Sequence, residues 1–197
     1  MHVLGLMFFA YLMGSVPSGY WIGRWVGKVD VRTLGSQNIG ATNVARNLGV
    51  KWGLIVLVMD MAKGALPVSV ALYIWPAEAK QSFIKIAIVA LAAFIGHLSS
   101  VFLRFRGGKG VATAFGISLI LLPRAALAAL ALFLMVTWLW RYVSLGSITA
   151  VLTLPILTCM SAYPPIYVGL TSVFALCVVF RHRSNIRALL QGKERKI

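Results

Sequence analysis

The sequence predicts an all-α, polytopic integral membrane protein with seven transmembrane helices. Three observations carry this. Of 197 residues, 60% are hydrophobic, and mean hydropathy is +0.88; water-soluble domains average about 45–50% apolar. The apolar residues fall into runs near the roughly 20 that a helix needs to cross the hydrocarbon core. Charge is sparse and one-sided, with 19 Lys+Arg against 4 Asp+Glu.

The runs lie at 3–25, 53–76, 84–103, 111–123, 125–140, 144–162 and 164–180. The first is hydrophobic like a signal peptide, but its first basic residue, Arg24, follows the apolar stretch. A cleaved signal carries its charge first, so 3–25 reads as a retained helix with its N-terminus outside. Within it, GSVPSGY marks a kink or a close helix contact. The fourth and fifth runs are short and meet at Pro123-Arg124. They fit a tight spanning hairpin, tilted helices in a thin region, or a re-entrant pair. Any of these leaves the termini on opposite sides.

Charge orients the bundle. One side collects Arg24, Lys28, Arg32, Arg46, Lys51, Arg104, Arg106, Lys109, Arg141, Arg181, Arg183, Arg187, Lys193, Arg195 and Lys196. The other holds Lys80, Lys85 and Arg124, and Lys63 falls inside the second run. Fifteen against three places the C-terminus in the cytoplasm. Trp21, Trp25, Trp52, Trp138, Trp140 and Tyr142 mark the cytoplasmic boundary, and Tyr73, Trp75, Tyr163 and Tyr167 the outer one.

Several function classes drop out. A net charge of +15 would suggest nucleic acid in a soluble protein. Here basic cytoplasmic loops account for it, and no soluble domain exists to bind nucleic acid. Cys159 and Cys177 sit in apolar stretches without ligand spacing, and four carboxylates are too few for a carboxylate-rich metal site. No metal or other cofactor is expected. No internal repeat is evident, which weakens a transporter reading.

Two polar segments interrupt the apolar pattern, and both are expected on the cytoplasmic face. Gly35–Arg46 reads GSQNIGATNVAR. Its glycines permit close backbone approach, Ser36, Asn38, Thr42 and Asn43 offer donors, and Arg46 can grip a phosphate with two N–H groups. The second, RFRGGKGVAT, contains Gly107, Gly108, Lys109 and Gly110 at the mouth of an apolar helix. It lacks Walker A spacing, but a helix N-terminus adds its own preference for anions. His97 precedes it. His182 lies in RHRSNIR after the last run. Asp60 and Lys63, three apart inside the second run, share one helix face and can neutralise each other. Ser147 stands one turn into the sixth run.

These motifs together resemble the PlsY family of bacterial membrane glycerol-3-phosphate acyltransferases. The residues that carry the resemblance are GSVPSGY, LGSQNIGATNVAR, DMAKG, GH followed by FRFRGGKGVAT, and RHRSNIR, in this order over nearly the whole chain. The resemblance implies one transmembrane acyltransferase domain over 1–197, with seven helices and an active site open to the cytoplasm. It implies transfer of a fatty acyl group from acyl phosphate to the 1-hydroxyl of sn-glycerol 3-phosphate. The products would be lysophosphatidic acid and phosphate, in the first acylation step of phospholipid biosynthesis. It suggests Ser36, Arg46, Lys109, His182 and Asn185 as catalytic residues. Gly35, Asn38, Thr42, Asn43, Gly108, Gly110, Ser147 and His97 would bind substrate. The expected setting is the bacterial inner membrane, with acyl phosphate, glycerol 3-phosphate and membrane lipid as partners and the protein a monomer. The family usually has glycine at Gln37, often proline at Ile39 and an acidic residue at Ser184.

No Asp–His pair is evident. His182 could act as general base, oriented by Asn185, or the acyl phosphate's own oxygen could take the proton. The second is preferred, with His182 and Asn185 positioning the glycerol. A small anion transporter with the same basic vestibule is the alternative from another class. It would need functional polar residues continuing to the outer face.

Overall fold

The computed structural model describes residues 2–76 and 80–197; Glu78, one of the four carboxylates, lies outside them. The described residues form helices joined by turns, with no strand among them. In chain order these are α1 (Val3–Ser15), α2 (Ser18–Trp25), α3 (Ala41–Leu48), α4 (Val50–Ile74), α5 (Lys80–Leu98), α6 (Val111–Leu121), α7 (Pro123–Trp140), α8 (Val143–Met160), α9 (Pro165–Arg181) and α10 (Arg183–Leu190). Short 3-10 turns occupy Val31–Thr33 and Val101–Leu103.

The first apolar run is one span broken in the middle. Pro17 has no N–H to donate, so the α1 ladder stops at Ser15 and α2 restarts at Ser18. Five helices among the described residues are long and apolar enough to cross a membrane, six if α9 and α10, bent by 59°, count together. In the first and third of the five, α1 continues into α2 and α5 into the turn after it. Helix α6 has 11 residues, about 16 Å at 1.5 Å per residue, roughly half the hydrocarbon thickness. The second run starts at Val50 rather than 53 and the third at Lys80 rather than 84, because helix continues into the polar flank on both.

Large apolar side chains point outward along the spans, including Leu4 at 71% and Leu176 at 72% exposure. Water would not tolerate so continuous an apolar surface, and lipid tails solvate it. This is an integral membrane protein.

The chain divides into two compact units, residues 1–117 and 118–197. In the first, α1 and α5 approach until their backbones touch. A Cβ at Gly14 would strike the Ala93 carbonyl, and one at Gly96 the Tyr11 carbonyl. Small residues at such crossings replace the hydrophobic drive that lipid removes. Tyr11 Oη donates to Ser99 O at 2.9 Å, and Ser100 Oγ to Ser15 O. At the ends of three spans, Ile22, Val56 and Leu103 join Val31, Ile39 and Val44 in a small core under the first polar segment, with Tyr20 and Trp52 against it.

In the second unit, Gly146 lets α8 lie against Thr137 and Phe133 of α7. The hydroxyls of Thr158 and Thr171 donate to carbonyls four residues back, at 2.7 and 2.9 Å. That is how a buried hydroxyl is satisfied where no water reaches.

Candidate active site

The first polar segment is tied together from within by Asn43, which is 3% exposed. Its Nδ2 donates to the carbonyls of Val31 (2.9 Å), Leu34 (3.1 Å) and Asn38 (2.8 Å), two N–H bonds shared among three acceptors. Its Oδ1 accepts from Ser36 N at 2.9 Å and Asn47 Nδ2 at 3.2 Å. Asn43 therefore shapes the segment from inside. Asn38 Oδ1 accepts from Gly40 N at 2.8 Å and sets up the start of α3. The polar run thus turns helical at Ala41, with Val44 inward and Arg46 exposed. Thr42 and Arg46, four apart, share a face. Ser36 is exposed and sits between Gly35 and Gln37, both at φ +56°.

Upstream, Asp30 binds Arg32 through both oxygens, at 2.9 Å (Nε–Oδ1) and 2.6 Å (Nη2–Oδ2), and also accepts from Arg32 N. The Arg32 guanidinium holds the Asp30 carboxyl down at about 2. The carboxylate in turn raises Arg32 above the usual arginine value.

The second polar segment folds back on the end of α5. Gly107 N donates to Leu98 O at 3.1 Å and Gly108 N to His97 O at 3.0 Å. The Gly108 amide is thus already committed, and what Gly108 contributes is space. A Cβ there would strike the His97 ring. Gly110, at φ +90°, lies against the Phe94 ring and accepts from Ala114 N at 2.8 Å as α6 begins. Lys109 is half-buried between these glycines.

Beneath it runs a buried polar network. Lys63 Nζ lies 2.9 Å from Asp60 Oδ1 and donates to Val16 O at 2.9 Å, a carbonyl at the break between α1 and α2 that also accepts from Ser18 N at 3.1 Å. The paired charges expected from the i,i+3 spacing are there, 4% exposed on each side. Thr113 Oγ1 donates to Asp60 O at 2.9 Å. That hydroxyl proton is used, so Thr113 can only accept from His97 Nδ1, 3.1 Å away. The neutral ring then carries its proton on Nδ1 and its lone pair on Nε2, the nitrogen beside Gly108.

The second unit holds the remaining expected residues. His182, 2% exposed, stands at the joint of α9 and α10, with Nδ1 2.8 Å from Val178 O. A carbonyl only accepts, so Nδ1 carries the proton and Nε2 is the acceptor in the neutral ring. One of the two alternatives open from the sequence has Asn185 orient His182. The contact that sets the ring's tautomer is the Val178 carbonyl, while Asn185 Nδ2 donates to Glu194 Oε1 at 2.8 Å. Ser144 Oγ reaches the same oxygen at 2.7 Å. Ser147, 5% exposed, gives its proton to Val143 O at 2.8 Å and keeps its lone pairs for an incoming donor. The tail closes over the α7–α8 turn, where Ile197 N donates to Arg141 O at 2.9 Å and Arg141 Nε to Ile197 O at 3.0 Å. No group of three or more metal-ligating side chains exists among the described residues.

The sequence and the fold are similar to known proteins over nearly the whole chain. The sequence profile described as Glycerol-3-phosphate acyltransferase matches residues 4–192. A glycerol-3-phosphate acyltransferase of Syntrophotalea carbinolica is 48% identical, covering 95% of this chain and 93% of its own. One from Geotalea daltonii is 47% identical over 94% and 92%. The crystal structure of PlsY in its glycerol 3-phosphate form superposes with a TM-score of 0.93 at 37% identity, covering 99% of this chain and 95% of that one. The chain belongs to the PlsY family of glycerol-3-phosphate acyltransferases. The same relative in its lysophosphatidic acid form superposes at 0.89, with 36% identity over the same shares of the two chains.

Two side chains that bond to expected site residues were not singled out from the sequence: Thr113, against His97, and Glu194, against Asn185. Thr113 is one helical turn beyond Lys109, and that spacing was the available signal. Glu194 is the one carboxylate in the basic tail, and that isolation should have drawn attention to it.

Proposed function

We propose that this chain transfers a fatty acyl group from acyl phosphate to the 1-hydroxyl of sn-glycerol 3-phosphate. The observation that carries the reading is full-length likeness to a solved acyltransferase seen in both a glycerol 3-phosphate and a lysophosphatidic acid form. These are an acceptor and its acylated product, so their difference defines the reaction on the acceptor side. For the donor, the support is cationic. Two phosphorylated substrates bring about four negative charges together, and two like charges 4 Å apart repel by roughly 4 kcal/mol at an effective dielectric of 20. Arg46 and Lys109 are the cations placed to offset that repulsion.

The chemistry asks little of the protein beyond placement. Acyl phosphate is a mixed anhydride with a good leaving group. The glycerol hydroxyl oxygen attacks the acyl carbon, the bond between that carbon and the bridging oxygen breaks, and phosphate departs with the bridging oxygen. The hydroxyl proton passes to a phosphate oxygen, so no side chain ends the cycle changed. His182 Nε2 and Asn185 hold the glycerol hydroxyl that reacts, Ser36, Asn38 and Thr42 hold phosphate or glycerol oxygens, and His97 Nε2 accepts from a glycerol hydroxyl. Ser147 supplies an acceptor, and Gly35, Asn43, Gly108 and Gly110 keep the pockets open. Positioning and charge stabilisation are the two effects used.

The single domain has seven crossings, counting α6 and α9. Its N-terminus is outside, and its C-terminus and active site face the cytoplasm of a bacterial inner membrane. Fifteen basic residues against three support this orientation. The protein acts as a monomer without metal or nucleotide.

The test is phosphate release by purified protein given palmitoyl phosphate and glycerol 3-phosphate, with acyl-CoA and acyl carrier protein thioester as parallel donors. Release that needs both substrates and yields lysophosphatidic acid is expected. Activity with thioesters alone overturns the donor, and no product from folded protein overturns the reaction and returns the anion transporter.

A further inference from the structure

A second concentration of positive charge lies in the first unit, on residues given no role above. A cleft of about 460 Å³ is lined by Tyr20, Arg32, Phe102, Leu103, Arg104 and Arg106. One wall is rigid. The Arg32 guanidinium lies 4.7 Å over the Tyr20 ring while Asp30 grips it from the side. Arg24 lies 5.5 Å from the same ring and donates to Tyr20 Oη at 3.3 Å. The opposite wall is a forced turn. Arg104 and Phe105 are consecutive non-glycine residues at φ +53° and +61°, a conformation costing about 1–2 kcal/mol at each. Phe105 N to Ser100 O (2.8 Å) and Arg106 N to Leu103 O (3.1 Å) hold it in place. The turn presents Arg104 and Arg106 to the cleft.

The charges there do not balance. Arg24, Arg32, Arg104 and Arg106 face one carboxylate, Asp30, which is bound to Arg32 and 3.8 Å from Arg24. Neither Arg104 nor Arg106 has an acidic partner among the described residues. Guanidinium groups converging on one space favour an anion that takes several N–H bonds at once, and phosphate oxygens match that geometry.

Position identifies the carrier of the phosphate. The spans Val3–Trp25 and Lys80–Leu103 both end at this cleft. Phe102 lines the cleft and is exposed, and Trp25 and Phe105, at or just past the ends of these two spans, are exposed too, as aromatics are at headgroup depth. A water occupies about 30 Å³ in the liquid, so the cleft has room for a headgroup larger than a bare ion. We infer that the cleft of Tyr20, Arg32, Arg104 and Arg106 is a binding site for the phosphate of an anionic phospholipid headgroup. The acyl chains of that lipid run down past Phe102. The site needs neither the donor assignment nor the orientation of the bundle.

The experiment is thermal unfolding of the full chain in neutral detergent, titrated with phosphatidylglycerol or with phosphatidylcholine of the same chains. Inorganic phosphate and glycerol 3-phosphate form the soluble arm. Saturable stabilisation by phosphatidylglycerol alone, weakened by salt, is expected. Arg104→Gln and Arg106→Gln should each raise half-saturation about tenfold, while Lys51→Gln, at an exposed cation outside the cleft, leaves it unchanged. Equal effects of the two lipids, or equal losses in all three variants, overturn the site. The same arginine-dependent protection by the soluble phosphates overturns the lipid as its source. Should the variants not fold, photoactivatable phosphatidylglycerol on the wild-type chain decides. Adducts on residues 20–32 and 102–106 support the site, and adducts confined elsewhere overturn it.

Discussion

Thr113 fixes the tautomer of His97: its hydroxyl donates to Asp60 O at 2.9 Å and accepts from His97 Nδ1 at 3.1 Å. The histidine lone pair is therefore held on the side of the glycine-rich segment. Thr113→Val keeps the shape and removes both bonds. One buried hydrogen bond contributes about 1 kcal/mol, so KM for glycerol 3-phosphate should rise about five- to tenfold with kcat little changed. Thr113→Ser should restore it. Steady-state kinetics of the three proteins check this, and an equal loss in the serine variant would assign Thr113 to packing alone.

Three carbonyls and two N–H groups share the Asn43 side chain. Asn43→Asp replaces its donor with a second acceptor facing the carbonyls of Val31, Leu34 and Asn38. Leaving buried groups unpaired costs about 1–3 kcal/mol each. The variant should lose at least about 2 kcal/mol of stability and most activity, read as a lowered melting temperature alongside turnover. Normal melting with lost activity would instead make Asn43 a substrate ligand.

Five of the seven expected spans and the first kink were legible because lipid imposes a length and an apolar composition, and Pro17 removes a donor; the 111–123 run, folded as the 11-residue α6, is too short to cross by itself, and α9 reaches the length only together with the bent α10. Asp60–Lys63 was legible because three residues on a helix is one turn. Thr113 and Glu194 were not, because their partners are 16 and 9 residues away in sequence and nothing periodic connects them. Helix α3 was hidden for a different reason. Its polar residues read as a donor-rich connector, and only Val44 and Leu48, four apart, betray the buried face. The charge pattern located the arginines without showing that the turn at Arg104 gathers them.

Gln37 sits at φ +56°, where a side chain costs about 1–2 kcal/mol and glycine costs none sterically. Gln37→Gly should therefore stabilise the chain by about 0.5–1 kcal/mol after the extra freedom of the unfolded glycine is subtracted. Thermal melting decides it, and a destabilised variant would mean that the Gln37 side chain has an anchoring role.

Acid should spare the Asp30–Arg32 pair until low pH. The folded carboxyl is lowered from 3.8 to about 2, so its contribution is fully present above 3.8 and disappears as pH falls through about 2. Asp30→Asn should lower melting at neutral pH and shrink toward no difference by pH 2. A difference that persists unchanged at pH 2 would mean that the pair's charge does not matter.

Glu194 links the start of α8 to α10, since one oxygen accepts from both Ser144 (2.7 Å) and Asn185 (2.8 Å). It is a positioning residue for Asn185, and the two bonds predict different outcomes for two substitutions. Glu194→Gln keeps one carbonyl oxygen and loses the charge, which roughly halves the strength of each bond. Glu194→Ala removes the acceptor and leaves the Ser144 and Asn185 donors to find water. The alanine variant should lose about 2–3 kcal/mol and most turnover, the glutamine variant about half that stability with turnover largely kept. The kinetic ratio separates this from simple tail packing. If Glu194→Gln and Glu194→Ala lose activity equally while melting alike, the carboxylate charge rather than the positioning of Asn185 is what the reaction uses.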